Sequence, residues 1–268
     1  MNGSGKTLVA CHRGAHGGNI LPNTVKSCLC AFAQGADIAE IDAVRSSDGV
    51  YYVFHDTEEA CTFGFLNNLR NLTSAQIDRL RMVNQYGCFT EQKVPRLEEV
   101  LLAVKGKGMI NLDRCWGGDF AYTAGALDLI GKCGMSDSVI FKSGADEKIL
   151  AGLKDYPDIR FMGIVSSVEE AERIEQSGAN VVGYELLFAA TKDEVLSLIP
   201  RFAGKNYLFW ANAIDLNDTA VLAGGRHDEG ALLEDPDAHW GALVEAGFNV
   251  IQTDFPRALK DYLDKKGY

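Results

Sequence analysis

The chain has 268 residues, 47% of them hydrophobic, which suits one large α/β barrel or two ordinary domains and excludes a stapled mini-domain or a disordered chain. With 26 Lys and Arg against 37 Asp and Glu, the formal net charge is −11, which excludes a protein that reads nucleic-acid phosphates by bulk positive charge. A phosphate substrate stays open, because a few local cations or a metal reverse the field inside a cleft.

The seven cysteines are odd in number and lack metal-type spacing. The close pair Cys28 and Cys30 falls inside an expected helix, far along the chain from Cys61, Cys88, Cys115 and Cys133. Reduced thiols and a cytoplasmic setting are therefore expected. No apolar run approaches the roughly 18 residues of a membrane helix, so no stable membrane insertion is expected. The opening Met-Asn-Gly-Ser-Gly-Lys has no apolar h-region of a signal peptide.

In chain order, β-rich runs fall at 7–12, 38–44, 50–55, 109–113, 138–142, 160–165, 180–185, 207–212 and 249–253. Helical patterns at 24–34, 97–105, 121–133, 168–177, 192–200 and 238–246 separate most of them. This alternation predicts a (β/α)8 TIM-type barrel, with a doubly wound sheet as the alternative. No repeat, low-complexity tract or linker intervenes, so residues 1–268 are expected to form a single barrel domain.

Nine runs are one too many for eight strands. Between the second and third lies only Arg45-Ser-Ser-Asp-Gly49, too short for a helix, and Asp-Gly between β-rich runs signals a hairpin, with an irregular extended link between two barrel strands as the alternative. If Asp48 and Gly49 form a two-residue turn, Asp42 lies opposite His55. The segment 57–93 that follows is the expected place for a small insertion or lid.

Polar residues end these apolar runs: His12 and Arg13 on the first, Glu40 and Asp42 on the second, His55 on the third, then Asp113, Lys142 and Trp210 with Asn212. Carboxylates at i and i+2 on a strand share a face, and the carboxyl ends of barrel strands converge on one mouth. Two histidines, three carboxylates, an arginine and a lysine meeting there suffice for metal-assisted phosphoryl chemistry. Each alone has a plainer reading: a hydrogen-bonded strand-end histidine, a solvated Glu-x-Asp, a strand-capping lysine, a core tryptophan. His16, His227 and His239 keep that plainer reading. Gly3-Ser-Gly-Lys-Thr7 is rejected as a phosphate loop, because no strand precedes it and its first glycine would fall before residue 1.

The joint pattern is more specific. His12-Arg13-Gly14, Pro22-Asn23-Thr24, Glu40-Ile41-Asp42, Ser47-Asp48-Gly49 and Phe54-His55-Asp56 resemble the glycerophosphodiester phosphodiesterases in residue and spacing. The likeness continues more loosely through Leu72-Thr73, Val94-Pro95, Asn111-Leu112-Asp113, Trp210-Ala211-Asn212 and Ile251-Gln252-Thr253-Asp254. The resemblance implies a phosphodiesterase barrel with one divalent cation, hydrolysing glycerophosphodiesters to glycerol 3-phosphate and an alcohol. It implies His12 and His55 as general acid and base, Arg13 on the phosphate, and Glu40, Asp42 and Asp113 as metal ligands. It further implies that the substrate's own glycerol hydroxyl attacks, giving a cyclic phosphate that water opens. Hard oxygen donors suit Mg²⁺ or Ca²⁺, since no thiolate or imidazole cluster is spaced for zinc.

Two departures stand out. Pro22 occupies the place of a family glutamate, and Cys115 that of a phosphate-contacting lysine. Lys142 is expected to supply the missing charge, with Trp210 beside the substrate, and Lys142→Met is expected to cost catalysis while leaving folding intact. Glu185, ending its own β-rich run, is a further ligand or substrate-orienting residue on the functional reading and an ordinary strand-end carboxylate on the other. The expected partner is a small phosphodiester, with no nucleic acid and an oligomeric state the sequence does not specify. One alternative is a sphingomyelinase-D-like phospholipase, disfavoured because neither a basic face nor an exposed apolar loop is legible. The other is a non-catalytic barrel that binds a phosphorylated ligand.

Overall fold

The structure, a computed structural model, describes residues 5–117 and 119–268; Gly3 and Ser4 of the rejected Gly-rich run lie outside them. The strands are β1 (Leu8–Cys11), β2 (Ile38–Arg45), β3 (Tyr51–Val53), β4 (Met109–Asp113), β5 (Val139–Ser143), β6 (Arg160–Val165), β7 (Val181–Leu186), β8 (Leu208–Asn212) and β9 (Val250–Thr253). They run in the order β1-β9-β8-β7-β6-β5-β4-β2-β3, and β1 also pairs with β2. Eight parallel strands therefore close into a barrel, and an open doubly wound sheet is excluded.

β3 is the ninth run. It pairs antiparallel with β2 alone, as a hairpin arm. Its register differs by one residue from the expectation, with Ala43 opposite Val53 and Arg45 opposite Tyr51. The Ser46 N–H donates to the Val50 carbonyl at 2.8 Å, so the turn holds three residues, ending in Gly49 at φ 92°. Phe54, not His55, consequently faces Asp42, its N–H 3.0 Å from the Asp42 carbonyl. The Asp48 carboxylate accepts from the Ser46 hydroxyl and from the Ser74 N–H and hydroxyl, each at 2.7 Å. That ties the hairpin tip to the insertion.

Helices Val25–Ala33, Leu97–Val104, Phe120–Lys132 and Val168–Gln176 form where periodicity placed them. The expected helix at 192–200 divides into a 3-10 turn, Glu194–Ser197, and Leu198–Arg201. Pro200 explains the break, because proline is tolerated only in the first turn of a helix. The pattern at 238–246 begins as a π turn, Asp237–Gly241, before Ala242–Glu245.

Strand alternation sorts the apolar side chains into two layers. Val9, Cys11, Ala39, Ile41, Ile110, Leu112, Phe141 and Phe161 point outward, into the core shared with the helices. Ala10, Ile38, Ile140, Met162, Leu208, Trp210 and Val250 fill the barrel interior. A third cluster, including Val44, Tyr52, Phe63, Leu69, Ile77 and Met82, seats the insertion on the hairpin. Toward the carboxyl ends, the inward positions turn polar.

One irregularity matters to the site. Between β6 and β7 the register jumps from Phe161–Val181 to Met162–Gly183. Val182 packs against the interior cluster and Glu185 lines the mouth, although an odd offset puts them on opposite faces of a regular strand. The extra residue is Val182, and the next, Gly183, lies so close to β8 that a Cβ would sit 2.0 Å from the Leu208 carbonyl oxygen.

Candidate active site

The carboxyl ends of the strands enclose a cavity of about 280 Å³ lined by His12, Arg13, Glu40, Asp42, His55, Asp113 and Lys142. Seven of the eight residues singled out in the sequence thus meet in one place. Arg114, Glu185, Asn212 and Gln252 join them.

Trp210 is the exception. It is fully buried one layer below, its indole N–H donating to Asn212 at 2.9 Å and Gln252 at 3.1 Å. Its ring lies 4.4 Å from the Lys142 ammonium, so it supports that lysine and does not reach the cavity. Trp210 thus takes the core position that was its plainer reading, not the place beside the substrate that was expected of it.

β1 ends at Cys11, and His12 follows with Nδ1 2.9 Å from Asp254 at the end of β9. Despite its burial, that hydrogen bond holds the Asp254 carboxyl below its ordinary value. Engaging Nδ1 leaves the other ring nitrogen of His12 for the cavity. Asp228 backs the arrangement, accepting from the Asp254 N–H, the Thr253 hydroxyl and the Trp240 indole. Burial pushes Asp228 up to about 7 against those three donors.

His55 follows the hairpin arm, and its Nδ1 is buried 3.6 Å from Glu58 without a hydrogen bond. The Arg13 guanidinium donates to Glu58 at 2.5 Å and lies 3.5 Å from Asp42. Arg13 adopts φ 55°, as do Asn23, Thr57 and Arg114 with φ 57°, 80° and 51°. These four non-glycine residues in the left-handed region all border the mouth or its loops, the kind of strain that gathers at functional sites. Gly14 follows at φ 70°, and a Cβ there would meet the Ser27 backbone at 2.5 Å, so the position requires glycine.

Register sets the acidic wall. On adjacent strands Asp42 pairs with Asp113, and Glu40 with Asn111. Burial, then Asp42 and Asp113, push the Glu40 carboxyl well up; burial and Asp113 raise Asp42. Asn23 donates to Asp42 at 2.9 Å, and the Arg13 N–H donates to Glu40 at 2.9 Å. Lys142 bonds Glu185 and lies 3.3 Å from Asp113. Burial pulls the ammonium down, but Glu185, Asp113 and Glu40 outweigh it and raise its pKa.

The donors fit a hard divalent cation in chemistry. Glu40, Asp42 and Asp113 offer oxygens that repel one another in a buried wall, and the Asn111 Oδ1 opposite Glu40 is buried without a partner. They are not preassembled, since among the described residues no three Asp, Glu, His or Cys side chains surround one point.

Sequence reading missed Arg114, Glu58 and Asp228. Glu58 had a signal, three residues after His55; Arg114 had none, since its direction depends on the backbone turn. Cys115 is buried in the outer core, its thiol pushed up to about 12 by that burial, and it offers the cavity nothing. All seven cysteines are free, and among the described residues no helix is long and apolar enough to cross a membrane. Against expectation, the insertion does carry exposed apolar side chains: Leu66, Tyr86 and Phe89 are 92%, 72% and 72% exposed.

Residues 12–114 match the family model described as glycerophosphoryl diester phosphodiesterase, and residues 161–263 match one described as a domain of unknown function. The chain is 25% identical over 153 residues to a glycerophosphodiester phosphodiesterase of Caldanaerobacter subterraneus subsp. tengcongensis, covering 56% of this chain and 54% of the relative. The chain thus spans about half the length of that curated relative. Among solved structures, a glycerophosphoryl diester phosphodiesterase from Parabacteroides distasonis superposes with TM-score 0.78 at 18% identity, over 98% of this chain and 88% of the other. An Oleispira antarctica phosphodiesterase in complex with the product sn-glycerol-3-phosphate superposes with TM-score 0.71 at 21% identity, over 97% and 98%. At these identities the superpositions establish a shared fold. The family resemblance read from the first sixty residues is borne out by the matched segment.

Proposed function

From a barrel whose residues 12–114 match the glycerophosphoryl diester phosphodiesterases, we propose an enzyme that hydrolyses glycerophosphodiesters to sn-glycerol 3-phosphate and an alcohol. The observation that carries this is one cavity holding His12, His55 and Arg13 against an acidic wall. Binding alone has no need of two proton-transfer groups.

In the proposed reaction the neighbouring glycerol hydroxyl attacks phosphorus while one histidine removes its proton. The bond to the alcohol oxygen breaks, and the second histidine protonates the departing alkoxide. Water then opens the cyclic phosphate with the roles reversed. Asp254 holds the His12 ring, supporting one tautomer through both halves. Arg13 presents a forked donor to a phosphate oxygen. Glu40, Asp42 and Asp113 would hold Mg²⁺ or Ca²⁺, which when bound neutralises charge on the phosphate.

The test is release of sn-glycerol 3-phosphate from glycerophosphocholine and glycerophosphoethanolamine, with Mg²⁺, Ca²⁺ or EDTA. Release should depend on metal and fall by on the order of 10²–10⁴-fold in His12→Ala and in His55→Ala. Release unchanged in both variants would refute the two-histidine site. A second reading, a phospholipase acting at a lipid surface, draws on exposed Leu66, Tyr86 and Phe89. Turnover of lysophosphatidylcholine vesicles in preference to the soluble diesters would select it.

A further inference from the structure

Three cations line the cavity among the described residues: Arg13, Lys142 and Arg114. Arg13 already has its place in the proposed reaction, on one phosphate oxygen, and its buried Nε has no hydrogen-bond partner within the protein. Arg13 is 16% exposed, bonded to Glu58 and close to Asp42. Lys142 is 1% exposed, with Glu185 on one side and Asp113 on the other, so its charge is already matched within the protein.

Arg114 differs in every respect. Its side chain is 41% exposed, and its Nε and Nη2 both donate to a single oxygen, Asp56 Oδ1, at 3.2 Å, the long limit for such bonds. The other Asp56 oxygen is 3.1 Å from Arg70. If Arg114 swings away, Asp56 therefore keeps a cation, which lowers the cost of release. The backbone at Arg114 is left-handed, with φ 51°, and its N–H donates to Asp113 at 2.6 Å. That turn sends the next side chain, Cys115, into the core and leaves Arg114 at the mouth. A strained conformation that delivers one exposed guanidinium into a cavity is better explained by a ligand than by packing.

We infer that Arg114 is a second cation that closes on the substrate's phosphate beside Arg13, exchanging its weak Asp56 contact for a forked pair with phosphate oxygens, while Lys142 serves only to balance the acidic wall. The inference rests on the phosphodiesterase reading. It makes Arg114 a substrate-binding residue, with sn-glycerol 3-phosphate as the matching product-side probe.

The experiment measures KM and kcat for glycerophosphocholine, and the inhibition constant of sn-glycerol 3-phosphate, in wild type, Arg114→Gln, Arg114→Lys and Arg114→Gly. Arg114→Gln should raise KM and weaken sn-glycerol 3-phosphate by about tenfold or more, as expected for a lost charged hydrogen-bond pair. Arg114→Lys should recover part of that loss. Arg114→Gly relieves the left-handed backbone, so it should lose affinity while its thermal midpoint holds or rises. Wild-type KM and inhibition constants in both Gln and Gly variants would overturn the inference and leave the phosphodiesterase reading standing. A wild-type protein that neither turns over the diester nor binds the product would overturn both.

Discussion

An ammonium buried between two carboxylates, as Lys142 is between Glu185 and Asp113, cannot be replaced by an apolar group of similar length without stranding both charges. Lys142→Met should therefore destabilise by about 3–5 kcal/mol, read as a lower urea midpoint, contrary to the expectation that folding would stay intact. A midpoint within 0.5 M of wild type, roughly 1 kcal/mol at ordinary urea slopes, would contradict this account. The same residue marks what the sequence could and could not say. Glu40, Asp42, His12 and Asp113 were legible because strand alternation and strand-end position determine their direction. The partners of Lys142 were not, because they come from neighbouring strands whose register no local pattern records. Arg114 was hidden for a different reason: a single backbone angle decides whether it or Cys115 enters the cavity.

At the level of elements, the glycine in the β6–β7 irregularity sets which β7 side chains face inward. Gly183→Ala would drive a Cβ to 2.0 Å from a carbonyl oxygen, so the strand must shift, at a cost near the upper end for overpacking, roughly 3 kcal/mol. Gly131→Ala is the control, since nothing lies within 4 Å of that position in its helix, and it should stabilise by roughly 0.5–1 kcal/mol. Comparable thermal midpoints for the two variants would remove the structural role assigned to Gly183. Element existence was well encoded, through alternating β-rich and helical patterns and an Asp-Gly turn. Register was not: Gly49 in a left-handed conformation lengthens the turn to three residues and moves every pairing by one. Likewise the bulge has no signal beyond an isolated glycine within an apolar run.

The whole molecule is held by a seam. β1 pairs with β9 along Leu8–Val250 to Cys11–Thr253 and with β2 at only two positions, so closure joins the two ends of the fold. The segment matching the phosphodiesterase family holds β2 to β4, and the other matched segment holds β7 to β9 with nearly all of β6. Neither contains a closed barrel. The cavity draws on both, with His12 held by Asp254 across the seam itself. Amides of β1 and β9 should therefore exchange with solvent only at the free energy of global unfolding, together with those of β4 and β5. Faster, independent exchange at β1 and β9 would show that the seam opens by itself.

That seam also orders events in time. The pair it joins lies more than 200 residues apart, so loop-closure entropy must be met before the contact returns anything. During synthesis β1 emerges early and waits, with one side only lightly paired, until β9 leaves the ribosome. Throughout that interval a growing row of parallel strands presents an unpaired edge, open to neighbouring chains. The reactive mouth, whose first histidine is held from the last strand, takes its working shape only when that wait ends.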